Sequence, residues 1–290
     1  MAVNTVSRSV SVFNTLCSAI PRLPPGAPGS ANYCPSEQSG VWARDGAVVD
    51  MMPGSPTLGQ IYIVTGNGPY DGRSNWGDSV LRLQITSSGL RLVDAYTPTS
   101  QADLNTQDAD LGSTTPILLP RQSGPHPWLA VQGGKDDVLR LLDRANLSGR
   151  GGPGHLGGEL LSIPMPQHGP MRTAGLTWQD TPANTWVFLA NENGLAAVRL
   201  TSSARGVTMR TAWMAHGGFT SPILAGGMLF AAGNGNVEAF DPLKGSLLWS
   251  SGQPSAGGSI GGVHWQSPIV VNSMLFMPDD NGGISGYGLR

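Results

Sequence analysis

Three observations predict an all-β fold built from repeated four-stranded sheets. Gly makes up 41 of the 290 residues and Pro 23, while charged residues are only 12%, about half the usual share. Apolar runs are short, often alternate with period two, and are bounded by Gly, Asn, Asp and Pro. The runs also recur as a unit. SPILAGGMLFAAGNGNVEAFDPLKGSLLW at 221–249 aligns with SPIVVNSMLFMPDDNGGISGYGL at 267–289, with a 46-residue period when Ser221 is set against Ser267.

Each unit reads strand, short turn, strand, Gly/Asn/Asp turn, strand, and the first adds a fourth strand ending LLW. The same grammar runs upstream. TTPILLP, PWLAVQGG and DDVLRLLDR cover 114–144; MRTAGLTW, TWVFLANENG and LAAVRL cover 171–200; GAVVD, QIYIVTGNG, DSVLRLQI and LRLVDAYT cover 46–97. A four-stranded repeat of about 45 residues is the blade of a β-propeller. A lone blade leaves apolar faces uncovered, and stacking builds the core. The expectation is one β-propeller domain over 1–290 with about five blades. These fall at 41–97, 114–164, 171–214, 219–250 and 264–289, after an N-terminal strand and Cys-containing loop at 1–40. A β-sandwich is the alternative, and the shared register of the Gly/Asn turns argues against it. Helical periodicity is scarce, with LRLLDRANL at 139–147 the best helical candidate. Segments 18–40, 98–113 and 145–170 are too long for hairpin turns. On a propeller such loops collect on one face and carry function.

Composition excludes several functions. Lys plus Arg is 17 against Asp plus Glu 19, a net charge of −2, so no basic excess exists to neutralise a nucleic-acid backbone. No apolar run reaches the roughly 18 residues of a membrane span. The N-terminus has neither a continuous apolar core nor an A-x-A site, so it reads as lacking a signal peptide. The expectation is a cytoplasmic protein or an internal piece of a longer chain. TVSRSVSVF could close a small ring by adding to the last blade, but an open, partial ring is the favoured arrangement. Cys17 and Cys34 are either bridged or two free thiols; low charge and high Gly favour the bridge. The five His are scattered with no H-x-x-H or H-x-x-x-H pair, so no zinc site is expected. Neither a G-x-S-x-G elbow nor a P-loop is present.

AFDPLKGSLLW at 239–249, with Asp241, Gly245 and Trp249, resembles the tryptophan-docking motif of quinoprotein propellers. Upstream, IYIVTGNGPYDGRSNWGDSVLRL, YTPTSQADLNTQDADLGS and GGKDDVLRLLDR resemble the cofactor-lining segment of the pyrroloquinoline quinone (PQQ) dehydrogenases, over roughly residues 40–145. The resemblance implies an eight-bladed ring of which this chain supplies part. It implies a Ca²⁺ ligand at Asn67 in the Thr65-Gly66-Asn67 turn, followed by the Gly77-Asp78 pair. Thr97 and Pro98 match a T-P step. Asp108 and Asp110 stand in the places of a W-D-x-D element whose first Asp is the catalytic base and is here also assigned to the metal, with Gln107 in place of its Trp. It implies a quinone-contacting base at Lys135 and a stacking floor at Trp42. The family's Glu ligand and vicinal Cys-Cys have no counterpart here.

The implied function is PQQ- and Ca²⁺-dependent oxidation of an alcohol or sugar, in a periplasmic or extracellular protein. PQQ is an electron sink, a hard cation takes oxygen ligands and polarises a carbonyl, and a carboxylate takes the alcohol proton. The alternative is a non-catalytic propeller scaffold for a protein partner, similar to outer-membrane assembly propellers. Taken singly, each residue also has a bland role. Asn67 could simply tolerate positive φ in a Gly-Asn-Gly turn. The Asp103, Asp108 and Asp110 loop could be solvated, and Lys135 could be a surface lysine.

Overall fold

The computed structural model describes residues 1–23, 26–253 and 258–288. Pro24 and Pro25 of the first long loop, and Leu289 at the end of the last expected strand, lie outside them. The chain is all-β, with sheets formed by strands in sequence order. The N-terminal strands β1 (Ala2–Val3) and β2 (Val10–Ser11) pair with each other, so the strand within TVSRSVSVF pairs with the residues just before that segment. Sheet I contains β3 (Val48–Val49), β4 (Ile61–Val64), β5 (Val80–Thr86) and β6 (Gly89–Tyr96). Sheet II contains β7 (Ile117–Leu118), β8 (Leu129–Gln132), β9 (Val138–Asp143) and β10 (Leu161–Pro164). Sheet III contains β11 (Leu176–Thr181), β12 (Asn184–Ala190), β13 (Gly194–Ser203) and β14 (Gly206–His216). Sheet IV contains β15 (Ile223–Ala225), β16 (Met228–Gly233), β17 (Asn236–Phe240) and β18 (Leu247–Ser250). Sheet V has three strands, β19 (Ile269–Val271), β20 (Met274–Pro278) and β21 (Ile284–Gly288). Each sheet is an antiparallel meander, the blade of a β-propeller.

Turn chemistry explains the hairpins. Gly226 and Gly227, at φ 57° and 78°, link β15 to β16; Asn272 and Ser273, at 49° and 61°, link β19 to β20 46 residues later. Two consecutive left-handed residues make the type I′ turn whose twist suits adjoining strands. A bulge then interrupts the third-to-fourth-strand pairing at the same place in three sheets, between Arg82 and Leu83, Ala197 and Val198, and Ala239 and Phe240. Bulges increase local twist, so the repeat extends to its irregularities.

Contacts divide the chain into two compact units, one mainly residues 1–162 and the other mainly 163–290. In the first, Tyr62, Val64, Val80 and Tyr96 of sheet I pack against Leu118, Ala130 and Leu142 of sheet II. In the second, sheet IV is covered on both faces. Leu229 and Ala231 pack with Trp186, Phe188 and Ala197 of sheet III, while Phe230 and Ala232 pack with Leu275 and Met277 of sheet V. Alternate residues of one strand serve two cores, so the run reads as continuously apolar. The same effect makes LRLLDRANL a strand and turn: Leu139, Leu141 and Leu142 in β9 are all fully buried. The helix that does form, α1 (Gln101–Gln107), lies in the segment the sequence read as loop.

The first unit also buries charge. Arg144 Nη1 sits 3.0 Å from Asp50 Oδ2, with both side chains fully buried. Asp50 accepts further hydrogen bonds from Ser55 and Thr57, while the guanidinium lies over the Trp128 ring. Cys17 and Cys34 are disulfide-bonded. Their loop is anchored on the connection between β4 and β5, where Trp76 donates its backbone N–H to Thr15 O and its indole N–H to Ser18 Oγ.

Candidate functional site

The residues singled out from the sequence converge in the first unit. The turn after β4 is fixed by Thr65, whose N–H donates to Ser79 O while its hydroxyl accepts from Ser79 N at 2.9 Å. Gly66 follows, and only glycine fits there: a Cβ would lie 2.2 Å from Asp110 Oδ1 and 2.9 Å from Trp42 Nε1. This close approach presents the next residue, Asn67, to the acidic loop. Asn67 N donates to Asp110 Oδ1 at 2.7 Å, and Asn67 Nδ2 donates to Asp108 Oδ1 at 2.6 Å. The disulfide-bearing segment buttresses the turn from behind, with Ser39 N donating to Asn67 O. Asn67 is absent from the left-handed backbone region, so positive φ is not its role in this turn.

Asp108 and Asp110 are placed by the ends of two short helices. Asp108 is the C-cap of α1, in the left-handed conformation at φ 54°, with its N–H returning to Leu104 O. Asp and Asn tolerate that conformation better than most residues. Asp110 precedes the single 3₁₀ turn Leu111–Ser113. Their exposures differ sharply: the Asp108 side chain is 82% exposed and that of Asp110 only 10%. Lys135 closes the cluster. Its ammonium pairs directly with Asp110 Oδ2, lies 3.6 Å from Asp108 Oδ2, and sits 5.4 Å from the centre of the Trp42 ring. Trp42 is 41% exposed, so the ring keeps solvent-facing area.

Asp78 was legible only as half of a Gly-Asp pair, yet it supports the whole turn. It is fully buried, and its Oδ1 accepts the Leu111 N–H at 3.1 Å. Its Oδ2 has no hydrogen-bond partner among the described residues. Burial pushes its carboxyl up to about 7, with the negative charges of Asp110 and Asp136 adding to the rise against the Leu111 N–H and the Gln101 side chain. No sequence signal distinguishes a buried Asp from a solvated one at this position.

One further atom bears on ligand binding. Asn67 Oδ1 is buried and without a hydrogen-bond partner, whereas its Nδ2 is satisfied. An orphaned amide oxygen beside a carboxylate is the donor type a hard cation takes. Among the described residues, no group of three or more His, Cys, Asp or Glu is arranged to hold a metal. A cation here would draw Asn67 Oδ1 and the exposed Asp108 carboxylate from this cluster and complete its shell with other oxygens. The exposed Trp42 face and the Lys135 ammonium fit a planar, anionic cofactor. The residues therefore fit part of a quinone–cation site. No helix among the described residues is long and apolar enough to cross a membrane.

No protein-family model matches this sequence, and no curated protein matches it. Solved structures that it resembles include a β-propeller domain. The β-propeller domain of Myceliophteria thermophila Cps50 (Swd1) aligns at 10% identity and TM-score 0.49, covering 80% of this chain and 66% of that one. Quinohemoprotein alcohol dehydrogenase ADHIIG from Pseudomonas putida HK5 aligns at 15% identity and TM-score 0.46, covering 77% and 42%. BBS1N, solved in complex with ARL6DN, aligns at 10% identity and TM-score 0.46, covering 80% and 61%. The chain thus spans less than two thirds of each of these three proteins.

Proposed function

We propose that this chain is a quinoprotein-type propeller segment. Trp42, Asn67, Asp108 and Lys135 would form one wall of a PQQ and Ca²⁺ site for oxidation of an alcohol or sugar. The observation that carries this reading is the convergence of four residues, spread from position 42 to 135, on one cluster containing an orphaned amide oxygen. When bound, the quinone supplies the two-electron sink that no side chain provides.

The chain's own residues then have distinct tasks. Asn67 Oδ1 and the Asp108 carboxylate would hold the cation. Asp108 is the exposed carboxylate, oriented by the Asn67 amide, and would accept the substrate's hydroxyl proton at Oδ2. The Lys135 ammonium, 3.6 Å from Asp108 Oδ2, would donate a hydrogen bond to a reduced oxygen. Asp110 touches neither substrate nor cofactor in this scheme. It holds Lys135 and the Asn67 backbone in place. Trp42 would offer the flat stacking surface.

One observation favours the scaffold reading. Lys135 already pairs with both Asp108 and Asp110, so the cluster can also act as a purely structural clasp. On that reading the propeller binds a protein partner and no quinone.

Titration of the purified chain with PQQ and CaCl₂, following quinone absorbance and dye reduction with alcohols and sugars, separates the two. Binding that survives Asp108→Ala, with dye reduction that does not, supports the dehydrogenase reading. No binding at high micromolar PQQ overturns it for this chain.

A further inference from the structure

The register of sheet III sets two arginines directly opposite each other: Arg199 on β13 pairs with Arg210 on β14. Like charges facing across an antiparallel pair repel. Both side chains are exposed, and among the described residues neither guanidinium has an ion-pair or hydrogen-bond partner. The row continues across the sheet, because Arg199 is also opposite Trp186 on β12.

These three side chains line one cavity of about 570 Å³ within the second unit. Trp186 is only 6% exposed, and its indole N–H is buried without an acceptor. An unsatisfied buried donor is costly, and this one belongs to a residue that lines the same cavity as two solvent-exposed guanidiniums without a protein partner. Thr201, Thr208 and Thr211 also line the cavity, and no Asp or Glu does. Leu243 adds an apolar wall. Its turn is held against the sheet by Trp213 Nε1, which donates to Pro242 O at 2.9 Å.

We infer that this cavity binds the phosphate or sulfate group of a small molecule. The two guanidiniums supply forked donors that suit a tetrahedral oxyanion. The Trp186 N–H supplies a further fixed donor, and the hydroxyls can donate to the remaining lone pairs. The Trp186 ring and Leu243 offer apolar surface to the body of an organic monoester. This site shares no residue with the Asn67–Lys135 cluster and does not depend on the function proposed for it.

The test is thermal unfolding and calorimetric titration of the full chain with inorganic phosphate, sulfate and phenyl phosphate, against chloride at matched ionic strength. The expected result is a higher Tm in phosphate or sulfate than in chloride. Phosphate binding should weaken at least tenfold in both Arg199→Gln and Arg210→Gln. Arg210→Gln should also unfold in chloride no earlier than the parent, because the repulsion is gone. Tighter binding of phenyl phosphate than of inorganic phosphate would identify an organic monoester as the ligand; equal binding would identify the free anion. Equal Tm in phosphate and chloride, or a phosphate response unchanged in both variants, overturns the inference.

Discussion

Lys135 is held twice by Asp110. Its ammonium pairs with the Asp110 carboxylate, and its backbone N–H donates to the Asp110 carbonyl at 3.0 Å. Asp110 in turn receives the Asn67 N–H, so one nearly buried carboxylate joins the turn after β4, the loop after α1 and the approach to β9.

Asp110→Ala should therefore destabilise the chain far more than Asp108→Ala. Removing one partner of a buried pair costs about 3–5 kcal/mol, whereas an exposed pair contributes about 0–1 kcal/mol. Urea unfolding of the two variants measures the difference. Equal losses would show that Asp110 is not the anchor described here.

Asp78 should make stability depend on pH. Its folded carboxyl is raised to about 7, above an unfolded value of about 3.9, so the folded state binds the extra proton. The associated stabilisation is full below about pH 4 and is lost as pH rises through about 7. Asp78→Asn should flatten the Tm profile between those limits and raise Tm at pH 8 relative to the parent. A parallel profile for the variant would refute the assignment.

The Arg144–Asp50 pair is fully buried. Asp50→Ala leaves a charge without its partner and should cost about 3–5 kcal/mol. Replacing both, as Asp50→Leu with Arg144→Met, should recover much of that loss, because no buried charge remains. Denaturant midpoints of the single and double variants give the comparison, and a double variant as unstable as Asp50→Ala would contradict it.

Gly245 sits at φ 68° against the Trp213 ring, where a Cβ would lie 2.5 Å from a ring carbon. Gly245→Ala should destabilise by about 1–3 kcal/mol, combining backbone strain and overpacking, and should shift Trp213 fluorescence. Loss of stability without a spectral change would mean that strain alone acts. The segment 239–249 thus receives Trp213 from sheet III, the preceding sheet, on its glycine. Its own Trp249 meets Tyr287 of sheet V in an edge-on contact.

What the sequence by itself determined was the blade. Strand order, turn positions and the 46-residue step all follow from local chemistry: period-two patterning and residues that accept positive φ. It also singled out Trp42, Asn67, Asp108 and Lys135 as candidates, because the spacing of the last three resembles a known segment. Only the tertiary structure decided which of two neighbouring aspartates is buried. Asp108 and Asp110 read alike in sequence, but one caps α1 facing solvent and the other turns inward to Lys135. Burial depends on packing from distant segments, which local composition does not encode. The same reason hid the Arg144–Asp50 pair, the raised Asp78 carboxyl and the facing Arg199 and Arg210. Each is set by strand register or by burial rather than by any residue's immediate neighbours.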